Sequence, residues 1–264
     1  TTGRISPTDP NMQNIPVRTD MGRQIRKVFI AGDSMSLVDA DYSQVELRVL
    51  AHMSRDPHMI EAFNSGEDIH RKTASQVFNV DFNQVTPELR SAAKAVNFGI
   101  IYGKSDFGLA QDLNISQKKA KEYIESYFNK YETIKTFMDH IVSEAEEKGY
   151  STTIFNRRRY IPEIKSSNFV EKNRGKRAAM NAPIQGSAAD IIKIAMVNVY
   201  NRLKEKGLKS KLILQVHDEL IVETTADELS QVEVLLREEM ENAVNLGVDL
   251  KVDLNIGKSW YETK

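Results

Sequence analysis

Cysteine is absent from all 264 residues, which excludes disulfides and thiolate metal sites and is compatible with a reducing compartment. No apolar run is long enough to span a bilayer, and the N-terminus shows no secretory signal, so no membrane association and a cytoplasmic location are expected. Net charge is also nearly absent: Lys and Arg total 36 against 37 for Asp and Glu. That balance excludes the broad basic surface of a protein that merely coats nucleic acid, and it confines any polyanion site to a local patch. There is no initiator Met either. The chain opens TTGRISP, as expected of a fragment or a processed product. What remains is an ordinary globular composition, long enough for one large domain or two modest ones.

The chain begins loop-rich, with Pro7, Pro10 and Pro16 arguing against regular structure. A strand is expected around SLVDAD, followed by a helix. The middle (DIHRKTASQVF, PELRSAAKAVNFGIIYG and the charged segment from QKKAKEYIESYF onward) has the apolar spacing of helices. A hairpin is expected over YSTTIFNRRRYIP, then separate helices over KRAAMN and SAADIIKIAMVNVYNRLKEKG, the latter ended by Gly207. A second hairpin over LILQVHDELIVE, an amphipathic helix over DELSQVEVLLREEMENAV and a strand around LKVDLNIG close the chain. Scattered strands around a helical middle predict an α+β fold, with the helical block inserted between two parts of one sheet domain.

Two places carry chemistry. In LILQVHDELIVE, residues 212–223, three titratable side chains (His217, Asp218, Glu219) interrupt two apolar runs. Two-residue hairpin turns favour Asn-Gly, Asp-Gly or Gly pairs because central residues need positive φ, and His-Asp offers no such relief. The other reading is a solvated polar turn. DYSQVELR, residues 41–48, puts Asp41 at the end of another strand. If strand and hairpin lie side by side, Asp41 and Asp218 approach each other, and two carboxylates about 4 Å apart repel by roughly 4 kcal/mol at an effective dielectric of 20. Such a pair shifts its pKa or binds a cation, and hard oxygen donors without His or Cys clusters suit Mg²⁺. Solvation of isolated strand-end acids remains the alternative. Ser43 and Glu46 have the S-x-x-E spacing of a capping box, which would make Ser43 the helix start.

The second place is the helix expected over residues 86–103, with Thr86 as N-cap, Pro87 at the first position and Gly103 past the end. Arg90, Lys94, Phe98 and Tyr102 recur every fourth residue, a slowly drifting stripe opposite the apolar set Leu89, Ala93, Val96 and Ile100. Cations near a helix N-terminus oppose its dipole unless an anion is bound. Arg and Lys one turn apart can grip a polyphosphate, with a ring beyond them for a base or sugar, although a solvated charged face would look the same.

Together, DYSQVELR, RSAAKAVNFGIIYG and QVHDELIVE, in that order, resemble the motifs of the family A DNA polymerases. TGRISPTDPNMQNIPVR and KRAAMNAPIQGSAADII resemble the family's primer-template segments, so the resemblance covers essentially the whole chain. It implies a right-hand polymerase fold: an antiparallel palm in two parts, residues 1–48 and 171–264, with mostly helical fingers at 49–170. It further implies that Asp41 and Asp218, helped by the Tyr42 carbonyl and supported by Glu219, hold two Mg²⁺ ions, with Mn²⁺ as a substitute. Arg90 and Lys94 would bind the deoxynucleoside triphosphate, Lys94 also donating a proton to pyrophosphate. Phe98 would pack on the nucleotide, Gln44 and His70 support its phosphates, Glu46 exclude a ribose 2′-hydroxyl, and Tyr102 sit near the templating base. Arg4, Arg177, Asn181, Gln185 and His217 would contact primer-template DNA. Ser91 stands where many relatives carry a second Arg, and Phe98 is the form expected to discriminate against dideoxynucleotides. No upstream thumb or exonuclease segment is matched, so weak, salt-sensitive DNA binding and no proofreading are expected of the chain alone. A metal-dependent nuclease and a thumb-less, inactive DNA- or nucleotide-binding fragment are the competing functions.

Overall fold

A computed structural model describes residues 2–6, 12–15 and 20–264. Pro7, Pro10 and Pro16 lie outside the described residues. In chain order come α1 (Asp20–Ile25), β1 (Met35–Tyr42), α2 (Val45–Ser54), α3 (Pro57–Asn64), α4 (Ile69–Phe78), α5 (Pro87–Ile101), α6 (Asp106–Leu113), α7 (Gln117–Lys130) and α8 (Glu132–Lys148). Then follow β2 (Tyr150–Thr152), β3 (Arg158–Tyr160), α9 (Phe169–Glu205), β4 (Lys211–Val216), β5 (Glu219–Thr225), α10 (Leu229–Glu241) and β6 (Val252–Gly257). The class is α+β. The chain divides into two compact units, one chiefly Glu46–Ser187 with Leu246–Asp249, the other Gly3–Val45, Ala188–Asn245 and Leu250–Lys264.

The second unit is built on an antiparallel sheet in the order β4-β5-β1-β6. Its central strand β1 is buried on both faces over Leu37–Ala40, because Leu37 packs with Val216, Ile221 and Trp260 on one side while α10 covers the other. Tyr42 anchors that second contact by donating from its hydroxyl to the Met240 carbonyl at 2.6 Å. Partners of β1 come from residues 219–225 and 252–257, far along the chain.

The first unit is helical, with the β2–β3 hairpin as a separate two-stranded sheet. Its helix starts follow local chemistry: Asp56, Asp68, Thr86, Ser105 and Ser116 each accept a backbone N–H at the N-cap of the helix that follows. Arg157, between the two strands of the hairpin, donates to the carbonyls of Thr2 (2.8 Å) and Gly186 (3.1 Å). One planar guanidinium fork, with several N–H donors, can serve both carbonyls at once.

The two helices expected over KRAAMN and SAADIIKIAMVNVYNRLKEKG are in fact one: α9 runs 37 residues through Pro183 without interruption. Proline lacks the N–H that would bond the carbonyl four residues back, which normally breaks a helix. Here the Ala179 carbonyl accepts from the Ser151 hydroxyl at 3.3 Å, and the Pro183 carbonyl accepts from the Ser187 hydroxyl at 2.5 Å. The lost bond is replaced from β2, so a tertiary contact overrides the local signal. The far end of α9 behaves as expected. Gly207 has φ of 64°, and the Leu208 and Gly207 amides return to Leu203 and Lys204, a left-handed cap only glycine adopts without strain.

Candidate functional site

The β4–β5 hairpin turns through His217 and Asp218 alone, and His217 carries the positive φ, 49°. A non-glycine residue there costs on the order of 1 kcal/mol, and such strain collects at working sites. The Gln215 amide steadies the turn by donating to the His217 carbonyl at 2.7 Å. Because β1 pairs with β5, Asp41 lies opposite Glu219, and the Tyr42 amide donates to the Asp218 carbonyl at 3.1 Å. Pairing thus brings Asp41 and Asp218 to one end of the sheet, where both line a cavity of about 560 Å³ with Arg23, Arg26, His217, Glu219, Tyr261 and Lys264.

That end of the sheet is acidic. Asp39, two residues before Asp41, is buried, and burial followed by Glu219 pushes its carboxyl up to about 7 despite the nearby Lys264 and Thr263. Burial also raises Asp218, opposed by Arg4 and reinforced by Asp41. Part of the charge in this cluster is offset by a residue that sequence reasoning passed over. The Lys264 ammonium lies 3.2 Å from Asp41 Oδ2 and 3.4 Å from Asp39 Oδ2, and it pairs with Glu219 Oε2. Burial alone would lower this lysine, but Glu219, Asp39 and Asp41 outweigh it and hold it above its ordinary value. Neighbours on the same segment reinforce the contact: Trp260 Nε1 donates to Glu219 Oε1 at 3.2 Å and Thr263 donates to Asp39 Oδ2 at 3.1 Å. Trp260 is itself buried under the Arg26 guanidinium, 4.0 Å from the ring centroid. The only tryptophan in the chain was the available signal. A buried tryptophan usually finds a hydrogen-bond partner for its ring N–H.

Other sequence candidates fall in two groups. Arg4, His217 and Asp218 share a small crevice with Gln215 and Lys193. Arg177, Asn181 and Gln185 occupy one side of α9 at four-residue spacing, Arg177 exposed and the other two half-buried. Gln44 takes a left-handed φ of 55° directly before α2, so Ser43 and Glu46 do not stand at the N-cap and third helical positions of a capping box.

The helical unit brings together its own set. α5 begins at Pro87 behind the Thr86 cap and ends at Ile101, with Ala93, Val96 and Ile100 buried as the apolar spacing predicts. On the stripe, Arg90 and Lys94 are exposed and Phe98 and Tyr102 are half-buried, stacked at 6.2 Å with planes 21° apart. The Arg90 Nε donates to Asp68 at 2.6 Å, and Asp68 also caps α4. Burial would raise the Asp68 carboxyl, but the Arg90 bond and the backbone amides of Arg71 and His70 hold it below the usual range. Tyr102 donates to Glu46 Oε2 at 3.0 Å, so the ring and the buried carboxylate support each other.

His70 lies 5.9 Å from Phe98 but is only 1% exposed, so a phosphate could reach it only after the ring is uncovered. Its Nδ1 is 3.1 Å from the amide nitrogen of the fully buried Asn97, a polar residue that the apolar reading of α5 did not foresee. Burial lowers the His70 pKa from 6.5 to about 4, with Lys94 and Arg90 adding to it and Asp68 opposing. The unfolded chain takes up this proton below its higher pKa and the folded chain does not, so His70 makes stability fall as pH drops through that window. At pH 5 the loss is about 2 kcal/mol. Urea midpoints of the parent protein should therefore drop more between pH 7 and 5 than those of a His70→Gln variant, and equal drops would remove His70 as the cause.

Among the described residues, no group of three or more His, Asp or Glu is arranged to hold a metal ion by itself, and no helix is long and apolar enough to cross a membrane. The family model for DNA polymerase family A matches residues 1–262. The chain is 55% identical over 263 residues to DNA polymerase I of Caldicellulosiruptor bescii, covering 100% of this chain and 31% of that protein. It is 53% identical over 264 residues to DNA polymerase I of Geobacillus stearothermophilus, covering 100% of this chain and 30% of that one. The chain thus spans under a third of the length of these relatives. Its fold is similar to the POL domain of Pol1 from M. smegmatis, solved in complex with DNA primer-template and dNTP, with a TM-score of 0.95 at 49% identity over 99% of this chain and 46% of that one.

Proposed function

The chain belongs to DNA polymerase family A, and on that premise we propose that it is the nucleotidyl-transferring core of a template-directed DNA polymerase, adding deoxynucleotides to a primer 3′-hydroxyl and releasing pyrophosphate. The observation that carries this reading is the meeting of Asp41 and Asp218 in one cavity. On this reading the sheet unit is the palm and the helical unit the fingers.

The donor set suits hard divalent cations. Both candidate ligands are carboxylates, cysteine is absent, and no ready-made protein cage of three ligands exists among the described residues. Mg²⁺ is commonly held by one or two carboxylates with water and substrate phosphates completing its shell. Asp41 and Asp218, with the Tyr42 carbonyl, would hold two such ions. When bound, the pair supplies activation of the attacking hydroxyl and charge neutralisation at the leaving pyrophosphate. Glu219 acts differently, since Trp260 and Lys264 engage its two oxygens; it holds Lys264 in place.

In the helical unit, exposed Arg90 and Lys94 supply positive charge for the triphosphate, and Lys94 is the candidate proton donor to pyrophosphate. Arg90 would exchange Asp68 for phosphate. Phe98 offers a face to the nucleotide, Tyr102 lies toward the templating base, and Glu46, braced by the Tyr102 hydroxyl, is the group a ribose 2′-hydroxyl would meet. Gln44 and His70 would act at the phosphates. Arg4, Arg177, Asn181, Gln185 and His217 would hold primer and template, where minor-groove acceptors common to all correct pairs report geometry without sequence.

Primer extension tests the reading directly. With primer-template, deoxynucleotides and Mg²⁺, pyrophosphate should appear in step with extension, and chelation should stop both. Degradation of the primer without pyrophosphate release would instead indicate a nuclease, and DNA binding without either product an inactive fragment. In the same assay Glu46→Ala should admit ribonucleotides at least tenfold better, a loss of roughly 1.4 kcal/mol of discrimination. Unchanged sugar selectivity would take that role from Glu46.

A further inference from the structure

We propose that Lys264 is an internal competitor for the divalent cation at Asp41, setting how much metal the sheet unit needs before it binds. This rests on the reading of Asp41 as a metal ligand. The Lys264 ammonium is 3.2 Å from Asp41 Oδ2, the same carboxylate that would face the ion, and it is simultaneously bound to Asp39 and Glu219. Three carboxyl groups crowd around one ammonium, more than a single cation can pair, so there is room for a second. Asp39 Oδ1 is buried and has no hydrogen-bond partner, so Lys264 does not satisfy the inner side of the cluster.

The surroundings decide what Lys264 can do. Glu219 is held at Oε1 by Trp260, and Asp39 at Oδ2 by Thr263, so neither can swing toward an incoming ion without losing a bond. Asp41 has no such brace among these contacts, and its side chain is 43% exposed toward the cavity. It is therefore the member of the cluster that can change partner. A divalent ion arriving at Asp41 meets a fixed positive charge a few ångströms away and gives up part of its attraction to it. Meanwhile Lys264 stays bound to Asp39 and Glu219, which keeps those two acids from drawing the ion deeper into the sheet. The lysine thus both raises the metal concentration required and confines the metal to Asp41 and the cavity.

Mn²⁺ serves as probe, its binding measured by electron paramagnetic resonance on the purified protein without nucleotide or DNA. Lys264→Met should bind Mn²⁺ about tenfold more tightly or better at low ionic strength, whereas Lys264→Arg should bind like the parent because the charge is kept. Unchanged or weaker binding in Lys264→Met overturns the proposal. Circular dichroism melts identify any variant that has failed to fold; should Lys264→Met be one, Lys264→Gln, which also removes the charge but can still hydrogen-bond Glu219, takes its place with the same expected gain, and unchanged Mn²⁺ binding in it overturns the proposal. Asp41→Asn separates the two layers of the argument: if it leaves Mn²⁺ binding intact, the ligand assignment itself fails, whatever Lys264 does.

Discussion

Asp218→Asn is expected to lower nucleotide incorporation about a thousandfold or more, roughly 4 kcal/mol of barrier, with the fold and DNA affinity preserved. Asparagine keeps the shape of the side chain and one oxygen acceptor but removes the charge that a divalent ion requires. Stability should not fall, because burial disfavours the ionised form of Asp218 by more than Arg4 favours it, and Asp41 adds repulsion. A neutral amide relieves both. The Tyr42 amide bonds the backbone carbonyl of residue 218, which the substitution leaves in place. Single-turnover extension with a urea melt on the same preparation checks both halves. Incorporation within tenfold of the parent would remove Asp218 from the metal site, while a large drop in the melt would mean that the activity loss reports unfolding.

Gly175→Ala should destabilise the helical unit by about 3 kcal/mol. In an ordinary helix interior the same change stabilises by up to about 1 kcal/mol, so the sign itself is diagnostic. At this position α9 crosses the short 3-10 turn Pro162–Lys165 so closely that a Cβ would lie 2.5 Å from the Ile164 amide nitrogen and 2.7 Å from its Cα. Those are backbone atoms, which cannot rotate away. Yielding would require lifting Ile164 from its buried cluster with Ala145, Ile161 and Ala179. A denaturant midpoint equal to or above the parent's would show that the turn shifts at little cost.

These sites divide by what a linear sequence can reveal. The ends of α5 were legible because capping is local: Thr86 bonds the Leu89 amide three residues on, and Pro87 fits the first turn. The sheet end was legible in outline because apolar runs flank both acidic positions. What escaped depends on partners remote in sequence. The passage of α9 through Pro183 relies on Ser151, the need for glycine at 175 relies on Ile164, and the burial of Asn97 relies on His70 and Thr73. Lys264 carries no local signal, and its partner Asp41 on β1 is 223 positions away. The capping box at Ser43 failed for the opposite reason. Its spacing was right, but the left-handed Gln44 occupies the step where a first helical residue was expected.

Strand β1 ends at residue 42, yet its two neighbours are not complete until residues 225 and 257. During vectorial synthesis this apolar strand must wait, both edges unpaired, while the whole helical unit is made and collapses through its more local contacts. Such an edge is a template for another nascent chain. The order of assembly therefore holds that hazard open from the synthesis of β1 to that of β5, and a ribosome stalled between the two would leave it standing.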